Sequence, residues 1–170
     1  MLPAGWKRVV NRRAGFNVGL PPGWRARVAE RPTLVRSKDR AVAASISADR
    51  TEVGRSLGPK TYARRAARAL EGYRRLRVGR ARRVRRTRYP TADVRASGVF
   101  ERTGLRQSIE VFSIHKRETA TFTVIFFRSA RVPERRYAAK VAAIVRSLRS
   151  QRPAPSGPQP DEAERSGRFG

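Results

Sequence analysis

The stretch "GFNVGLPPGW", Gly15 to Trp24, is the part of the sequence that most directly indicates the fold. Phe16–Leu20 has the pattern of a short strand, and Pro21–Gly23 follows it without a gap. The two prolines lack backbone N–H donors and therefore end the strand's hydrogen-bond ladder, while the glycine supplies a flexible turn. We expect the large ring of Trp24 to fold back as a plug at the edge of the core, in preference to serving as a stacking platform for a ligand.

Further strand patterns surround this stretch. Leu76–Tyr89 is ambiguous. The clear strand patterns, besides Phe16–Leu20, are Trp6–Val10, Thr33–Ser37, Ala41–Ala48, Ala92–Glu101, Arg106–Lys116 and Thr119–Ala130. In the last of these strands Phe122, Val124 and Phe126 form one apolar face, and Ile125 and Phe127 are apolar on the other. A strand that is apolar on both faces is predicted to lie in the middle of a sheet that is covered on both sides.

Two segments have the periodicity of a helix instead. Gly58–Arg75 has Pro59 in its first turn and an apolar stripe made of Tyr62, Ala66, Leu70 and Tyr73. Val132–Ser150 opens with Pro133, and its stripe consists of Tyr137, Val141, Ile144 and Leu148. Strands, a helix, a run of hairpin-linked strands and a second helix indicate an α+β domain with an antiparallel sheet, on which both helices can pack.

The charge of the chain is its most unusual property. Among 170 residues, 40 are basic and 13 are acidic, so the net charge is +27. The three arginines and three acidic residues from Gln151 onward cancel, which leaves the whole excess in residues 1–150. A field this positive attracts polyanions such as nucleic acid, anionic lipid or acidic proteins. The chain has no cysteine, which excludes disulfides and thiolate metal sites.

The composition also predicts where the folded part ends. We expect one α+β domain over residues 1–149 and a disordered tail over residues 150–170, because the tail holds four prolines, three glycines and almost no apolar residue. No apolar run is long enough for a transmembrane segment, and no signal peptide is visible after Met1. The location therefore stays open: cytoplasmic if Met1 is the true start, extracytoplasmic or envelope-associated if a leader precedes it.

The order of these motifs resembles that of the PsbP/Mog-like proteins, a group that includes actinobacterial LpqN-type lipoproteins. The matching features are the "GFNVGLPPGW" hairpin strand, the helix that starts with Tyr62-Ala63, the stretch "YPTADVRASGVF", and the strand "FTVIFFRSA" leading to a helix that ends "IVRSLR". The resemblance covers about residues 5 to 149. It implies an antiparallel sheet flanked by helices on both faces, an α/β/α sandwich, and a binding or assembly role without catalysis. It brings no active site and no cofactor.

The sequence contains no convincing set of catalytic residues. His115 is the single histidine, and Glu118 is the nearest carboxylate in sequence, in the following turn. Gly54–Gly58, "GRSLG", formally matches the motif of a serine nucleophile, but no strand leads into it and Pro59 follows. We expect Ser56 to lie in a loop before the helix, and an esterase built on it is a distant third hypothesis. The chain is predicted to be no enzyme.

The densest feature is an arginine run between Tyr73 and Tyr89. Nine of the fifteen residues from Arg74 to Arg88 are arginine, namely Arg74, Arg75, Arg77, Arg80, Arg82, Arg83, Arg85, Arg86 and Arg88, and none is acidic. Guanidinium groups bind phosphate or carboxylate in bidentate fashion, and the two tyrosines could stack on bases. The alternative is a solvated sheet face with Val78, Ala81 and Val84 pointing inward.

Two functions of different classes follow. The first is a non-enzymatic binding or assembly module with a basic surface that engages an acidic protein or an anionic envelope component. The second is a basic nucleic-acid-binding protein that acts through contacts with the phosphate backbone, since no motif for reading base sequence is present. We favour the first. The sequence leaves the partner and the oligomeric state open.

Overall fold

Two antiparallel sheets contain the strands of the protein's described residues. A computed structural model describes residues 1–29 and 32–155. The smaller sheet has the order β1-β2-β11, formed by Lys7–Asn11, Phe16–Leu20 and Arg149–Ser150. The larger sheet has the order β3-β4-β5-β10-β9-β8-β6, and β7 also pairs with β8. Its strands are β3 Arg25–Arg27, β4 Thr33–Arg36, β5 Val42–Asp49, β6 Tyr73–Val78, β7 Arg82–Val84, β8 Thr91–Phe100, β9 Leu105–Lys116 and β10 Ala120–Ser129.

The opening stretch folds as its sequence predicts. β2 ends at Leu20, Gly23 has a φ of +79°, and the backbone N–H of Trp24 donates to the carbonyl of Pro21 at 3.2 Å. Trp24 is only 8% exposed and packs in the hydrophobic core, so its predicted role as a plug is confirmed. The chain then continues directly into β3, a short strand that the sequence pattern did not reveal.

The larger sheet separates two hydrophobic clusters. Along β10, Phe122, Val124 and Phe126 belong to the first cluster, whereas Ile125 and Phe127 pack against the second. Because successive side chains of a strand point to opposite faces, the two clusters lie on opposite faces of this sheet. The predicted central position of this strand is also confirmed, since β10 is the fourth of the seven strands in the sheet order.

The first long helix is shorter than its predicted stripe. The helix α2 spans Pro59–Arg68 and follows a short helix α1, Glu52–Ser56. The second cluster receives Ala63 and Ala67 from α2, and Tyr73 is not part of the helix, because the left-handed Gly72 (φ +79°) turns the chain into β6. The prediction that extended the helical stripe to Tyr73 is therefore wrong, although Tyr73 still packs against the same cluster.

The C-terminal helix agrees better with its sequence pattern. One turn of 3₁₀ helix, Glu134–Arg136, leads into α3, Ala138–Ser147. All four residues of the predicted stripe are buried in the first cluster: Tyr137, Val141, Ile144 and Leu148. β11 then pairs with β2, and the backbone N–H of Ala154 donates to the carbonyl of Arg12 at 2.8 Å. Ordered contacts thus continue beyond the predicted boundary at residue 150, and the rest of the predicted tail, 156–170, lies outside the described residues.

Candidate anion-binding surface

The arginine run forms one edge of the larger sheet. β6 and β7 lie one after the other along the same side of β8, so that Val78 pairs with Ala96 and Arg82 pairs with Asp93. A bulge interrupts the register between Arg74 and Arg77. Bulges and charged side chains are devices that keep a sheet edge from pairing with other chains. The edge is therefore built to stay open to solvent.

Alternate residues attach this edge to the rest of the protein. Leu76, Val78 and Ala81 pack against the second cluster, and Val84 packs against the first. Val78, Ala81 and Val84 thus point inward, as in the alternative of a solvated sheet face, and this orientation does not decide between that alternative and an anion-binding surface. All nine arginines of the run are exposed, so packing uses the apolar positions between them.

Strand register divides these arginines into groups. In an antiparallel pair, directly opposed residues project from the same face. Arg74 and Arg77 oppose Val99 and Ser97, which places them with Arg82 on the side of the first cluster. Arg83 opposes Ala92, a member of the second cluster, and so projects from the other side. Arg85, Arg86 and Arg88 belong to the loop that follows β7.

This loop encloses a concavity of about 620 Å³. Its lining consists of residues 83–90 and includes four arginines, Arg83, Arg85, Arg86 and Arg88, but no carboxylate. The far end of the loop is fixed, because the hydroxyl groups of Thr87 and Thr91 both donate to the Tyr89 carbonyl at 2.8 Å. We call Arg83, which lies in β7, together with Arg85, Arg86 and Arg88 the loop arginines.

Arg82 differs from the other arginines of the run. Its Nη2 lies 3.0 Å from Oδ2 of Asp93, whose side chain is 9% exposed. Within residues 1–29 and 32–155, no other arginine of the run has a carboxylate partner. Arg82 therefore stabilises a buried acid, whereas the remaining arginines have no such structural use.

The two tyrosines beside the run are occupied. The hydroxyl of Tyr73 donates to Oε1 of Gln107 at 2.6 Å, and its ring lies 5.3 Å from that of Phe100. The Tyr89 ring packs against the first cluster, and its hydroxyl accepts from the Ser150 backbone at 3.3 Å. Both rings are half-buried, so they offer less surface for stacking on bases than fully exposed rings would.

Three arginines outside the run extend the basic surface, and the sequence interpretation missed them. Arg95 and Arg106 lie on β8 and β9 and Arg128 lies on β10, all in register positions that share the face of Arg74. Arg95 binds Glu134 at 2.6 Å and Arg128 donates to the carbonyl of Val132, while Arg106 is exposed. Alternation along "VRASGV" and "LRQSIE" is the only sequence signal for this face. How close these three arginines lie to β6 depends on the order of the strands in the sheet, which the sequence does not show.

An acidic group sits beside these arginines. Glu110 opposes Arg95 in the β8–β9 ladder. Burial, followed by the neighbouring charge of Asp93, raises the pKa of Glu110 from 4.5 to about 7. Close to neutral pH this carboxyl is therefore partly protonated and cancels less than one unit of the surrounding positive charge.

The other predicted candidates are structural. His115 is buried, and its Nδ1 lies 3.1 Å from Oγ1 of Thr121, which donates to the Gly54 carbonyl at 2.6 Å. Ser56 is the last residue of α1, so the prediction that it lies in a loop is wrong. Its hydroxyl donates to the Glu52 carbonyl at 2.6 Å. His115 and Ser56 share a cavity with Glu118 but do not bond to each other.

Residues 1–29 and 32–155 contain no cluster of three or more histidine, aspartate or glutamate side chains that could hold a metal ion. Nor does that part of the chain contain a helix of the length and hydropathy needed to cross a membrane.

Comparison with solved structures identifies the fold. The yeast (Saccharomyces cerevisiae) Ran-binding protein Mog1p superposes with a TM-score of 0.57 at 11% identity, over 85% of this chain and 95% of that one. LpqN of Mycobacterium tuberculosis, involved in cell envelope biogenesis, gives a TM-score of 0.53 at 13% identity, over 86% and 90%. The chain has the PsbP/Mog-like fold.

A further structure with this fold is larger. It is a protein from Bacteroides thetaiotaomicron that matches with a TM-score of 0.60 at 15% identity, over 86% of this chain, and the present chain spans 49% of its length. No family model matches the sequence, and comparison with curated proteins gives no match. At these identities the likeness shows the fold alone.

Proposed function

We propose that this protein is a non-enzymatic binding module that engages an acidic protein or an anionic envelope component through its arginine-rich sheet edge. One observation carries the proposal: four arginines surround a single concavity on an anchored loop, and no carboxylate lines it. Like charges held this close repel one another, and a partner that supplies anionic groups relieves that repulsion. Arginine is suited to this use because its planar fork binds carboxylate and phosphate with two hydrogen bonds.

The fold supports a binding role. Mog1p is a Ran-binding protein, and LpqN is involved in cell envelope biogenesis. We further infer that α2 and α3 cover opposite faces of the larger sheet, since they supply side chains to different clusters. Such a sandwich leaves the outer edge of the sheet, and the parts of its faces that the helices do not cover, as the available surfaces, and the loop arginines lie at that edge.

The test replaces the loop arginines together by glutamine: Arg83→Gln, Arg85→Gln, Arg86→Gln and Arg88→Gln. Arg82 is left in place because it holds the buried Asp93. Binding is measured at about 150 mM salt, where exposed charges are screened beyond roughly 8 Å, against a labelled oligo-glutamate peptide, anionic vesicles and duplex DNA. We expect the protein to bind the peptide or the vesicles, and the variant to lose at least about tenfold in affinity, which corresponds to 1.4 kcal/mol.

A matched control removes the same charge elsewhere, with Arg12→Gln, Arg27→Gln, Arg55→Gln and Arg146→Gln, all exposed. Equal losses in the two variants would show that net charge alone drives binding and would contradict the proposal. Preference for DNA over the other two ligands would favour the nucleic-acid alternative.

A further inference from the structure

A second group of arginines lies on the flat face of the same sheet, away from the loop. Arg74 opposes Val99, which in turn opposes Arg106, so these two arginines flank Val99 on neighbouring strands. Arg77 opposes Ser97, and Ser97 opposes Ser108. Strands in a sheet are about 4.8 Å apart and residues along a strand about 3.3 Å apart, so the backbones of the three arginines lie within roughly 12 Å of one another. We call Arg74, Arg77 and Arg106, with Ser97, Val99 and Ser108 between them, the arginine face.

The arginine face has no internal use for its charge. Arg74, Arg77 and Arg106 are exposed, and in the described part of the chain none of them has an ion-pair or side-chain hydrogen-bond partner. Their neighbours Arg95 and Arg128 differ, because both are tied to the segment before α3 through Glu134 and the Val132 carbonyl. Together with Arg82, which is bound to Asp93, three arginines of this side of the sheet are thus fixed by the fold, and three are left facing solvent.

The chemistry of the arginine face distinguishes among anionic partners. Sheets that bind single-stranded nucleic acid present aromatic rings on which bases stack. Here the nearby rings of Tyr73 and Phe100 oppose each other, and Tyr73 packs against the second cluster on the opposite face. Between the arginines lie two serines and a valine, which are small and half-buried. A flat surface with short side chains between guanidinium groups accommodates a protein segment that places carboxylates at strand or helix spacing.

We propose that the arginine face is a second docking surface, which binds a carboxylate-rich segment of a protein partner. The inference rests on the proposed function, which gives the protein an anionic partner. It narrows that partner from an acidic protein or an envelope component to a protein. Contact at both surfaces allows one acidic chain to bind at two points, and the second contact then forms at a high effective concentration.

The experiment compares three variants with the wild-type protein. The face variant carries Arg74→Gln, Arg77→Gln and Arg106→Gln. The loop variant is the one described above. The control variant carries Arg25→Gln, Arg27→Gln and Arg36→Gln, which removes three exposed charges from β3 and β4 at the opposite end of the sheet order. Circular dichroism and thermal melting first establish that each variant is folded. Affinity for a labelled oligo-glutamate peptide and for a single-stranded oligonucleotide is then measured at the same salt concentration.

We expect the face variant to bind the peptide about tenfold more weakly, since it loses three exposed ion pairs that are each of modest strength. The control variant should lose about twofold or less through the change in net charge. Loss of oligonucleotide affinity that equals the loss for the peptide would overturn the assignment to a protein partner. Equal loss of peptide affinity in the face and control variants would overturn the arginine face as a site.

The same data separate this inference from the proposed function. A loop variant that loses binding beside an unchanged face variant leaves the loop site standing and removes the arginine face. Unchanged affinity in both variants removes both. A direct readout is available because the chain has no cysteine. An environment-sensitive dye on Ser108→Cys should respond to the peptide, whereas a dye on Ser45→Cys in β5 should not. The reverse pattern would contradict docking on this face.

Discussion

The centre and the edge of the larger sheet differ in what their sequences have to satisfy. In β10, at the centre, Phe122 and Val124 are completely buried, and side chains on both faces belong to a hydrophobic cluster. In β6 and β7, at the edge, the inward residues Leu76, Val78 and Val84 are only half-buried, and the arginines between them are exposed. One strand is constrained at nearly every position, the other at about every second or third.

This difference shows where function can be assigned. Central positions are explained by packing, so their residue types carry little information about a partner. The edge arginines gain nothing from packing and repel one another, which makes a folding explanation insufficient for them. Arg82 is the exception at the edge, because Asp93 binds it. Mutations that measure stability and binding separately can therefore sharpen this contrast or break it.

Phe122→Ala should produce the largest change in stability. The Phe122 ring is fully buried, stands 6.1 Å from the ring of Phe16, and joins the two sheets. Removing it leaves a cavity that the rigid strands around it cannot fill, and the free energy of unfolding should fall by about 3–5 kcal/mol. Urea denaturation followed by circular dichroism measures this loss. The control is Leu105→Ala at the exposed tip of the β8–β9 hairpin, which is 58% exposed and should cost far less.

Glu110→Gln should have the next largest effect, with the opposite sign. The pKa of Glu110 in the folded protein, about 7, lies above its ordinary value of 4.5. The folded protein therefore binds this proton more tightly than the unfolded chain, and the resulting stability is complete below pH 4.5 and lost as the pH rises through 7. Glutamine cannot ionise, so the variant should be more stable than the wild type at pH 8, by about 1–3 kcal/mol on the basis of 1.36 kcal/mol per pKa unit.

The measurement is a series of thermal melts between pH 4 and pH 9. The groups that face Glu110 are Asp93 and Glu134, which raise its pKa, and Arg95, which lowers it. A suitable control is Glu101→Gln, which removes an exposed carboxylate from the turn of the same β8–β9 hairpin. A Glu110→Gln variant that is less stable than the wild type at pH 8 would show that the attraction to Arg95 outweighs the burial of the charge.

The same contrast explains how much of the fold could be predicted from the sequence. Strands with buried residues at alternate positions, such as Ala92–Glu101 and Thr119–Ala130, were found to within one or two residues, because burial imposes their pattern. The short strands β3 and β11 were missed, since the three exposed residues of β3 and the two half-buried residues of β11 leave no pattern. The prediction for α2 failed at Tyr73, where a strand residue stood by chance at a helical spacing.

The candidate site could be predicted only in part. Its charge and its nine arginines are local in sequence, and so are the apolar residues that anchor them. The division into loop arginines and arginine face depends on strand register, and Arg106 joins Arg74 only because β8 lies between their strands. Long-range pairing of this kind leaves no trace in a single sequence. The partnership of Arg82 with Asp93 was hidden for the same reason.

Arg82 and Arg83 provide the finest test of the comparison, because they are adjacent and carry the same charge. Arg82→Gln removes the cation that lies 3.0 Å from a buried carboxylate, whereas Arg83→Gln removes a charge with no acidic partner. Leaving Asp93 without its cation should lower the free energy of unfolding by about 1 kcal/mol, a value that allows for the solvent around the half-exposed guanidinium. The Arg83 variant should remain within about 0.5 kcal/mol of the wild type.

Urea denaturation at pH 7 measures the free energy of unfolding of both single variants and shows whether Arg82→Gln is the less stable of the two. The double variant Arg82→Gln, Asp93→Asn should recover part of the stability lost in Arg82→Gln, because the neutral amide does not need a cation. For peptide binding the order should reverse, since Arg83 lines the concavity of the loop and Arg82 does not. Equal effects of the two substitutions on stability and on binding would mean that the edge arginines act only through their total charge. The division between structural and partner-binding arginines would then be wrong.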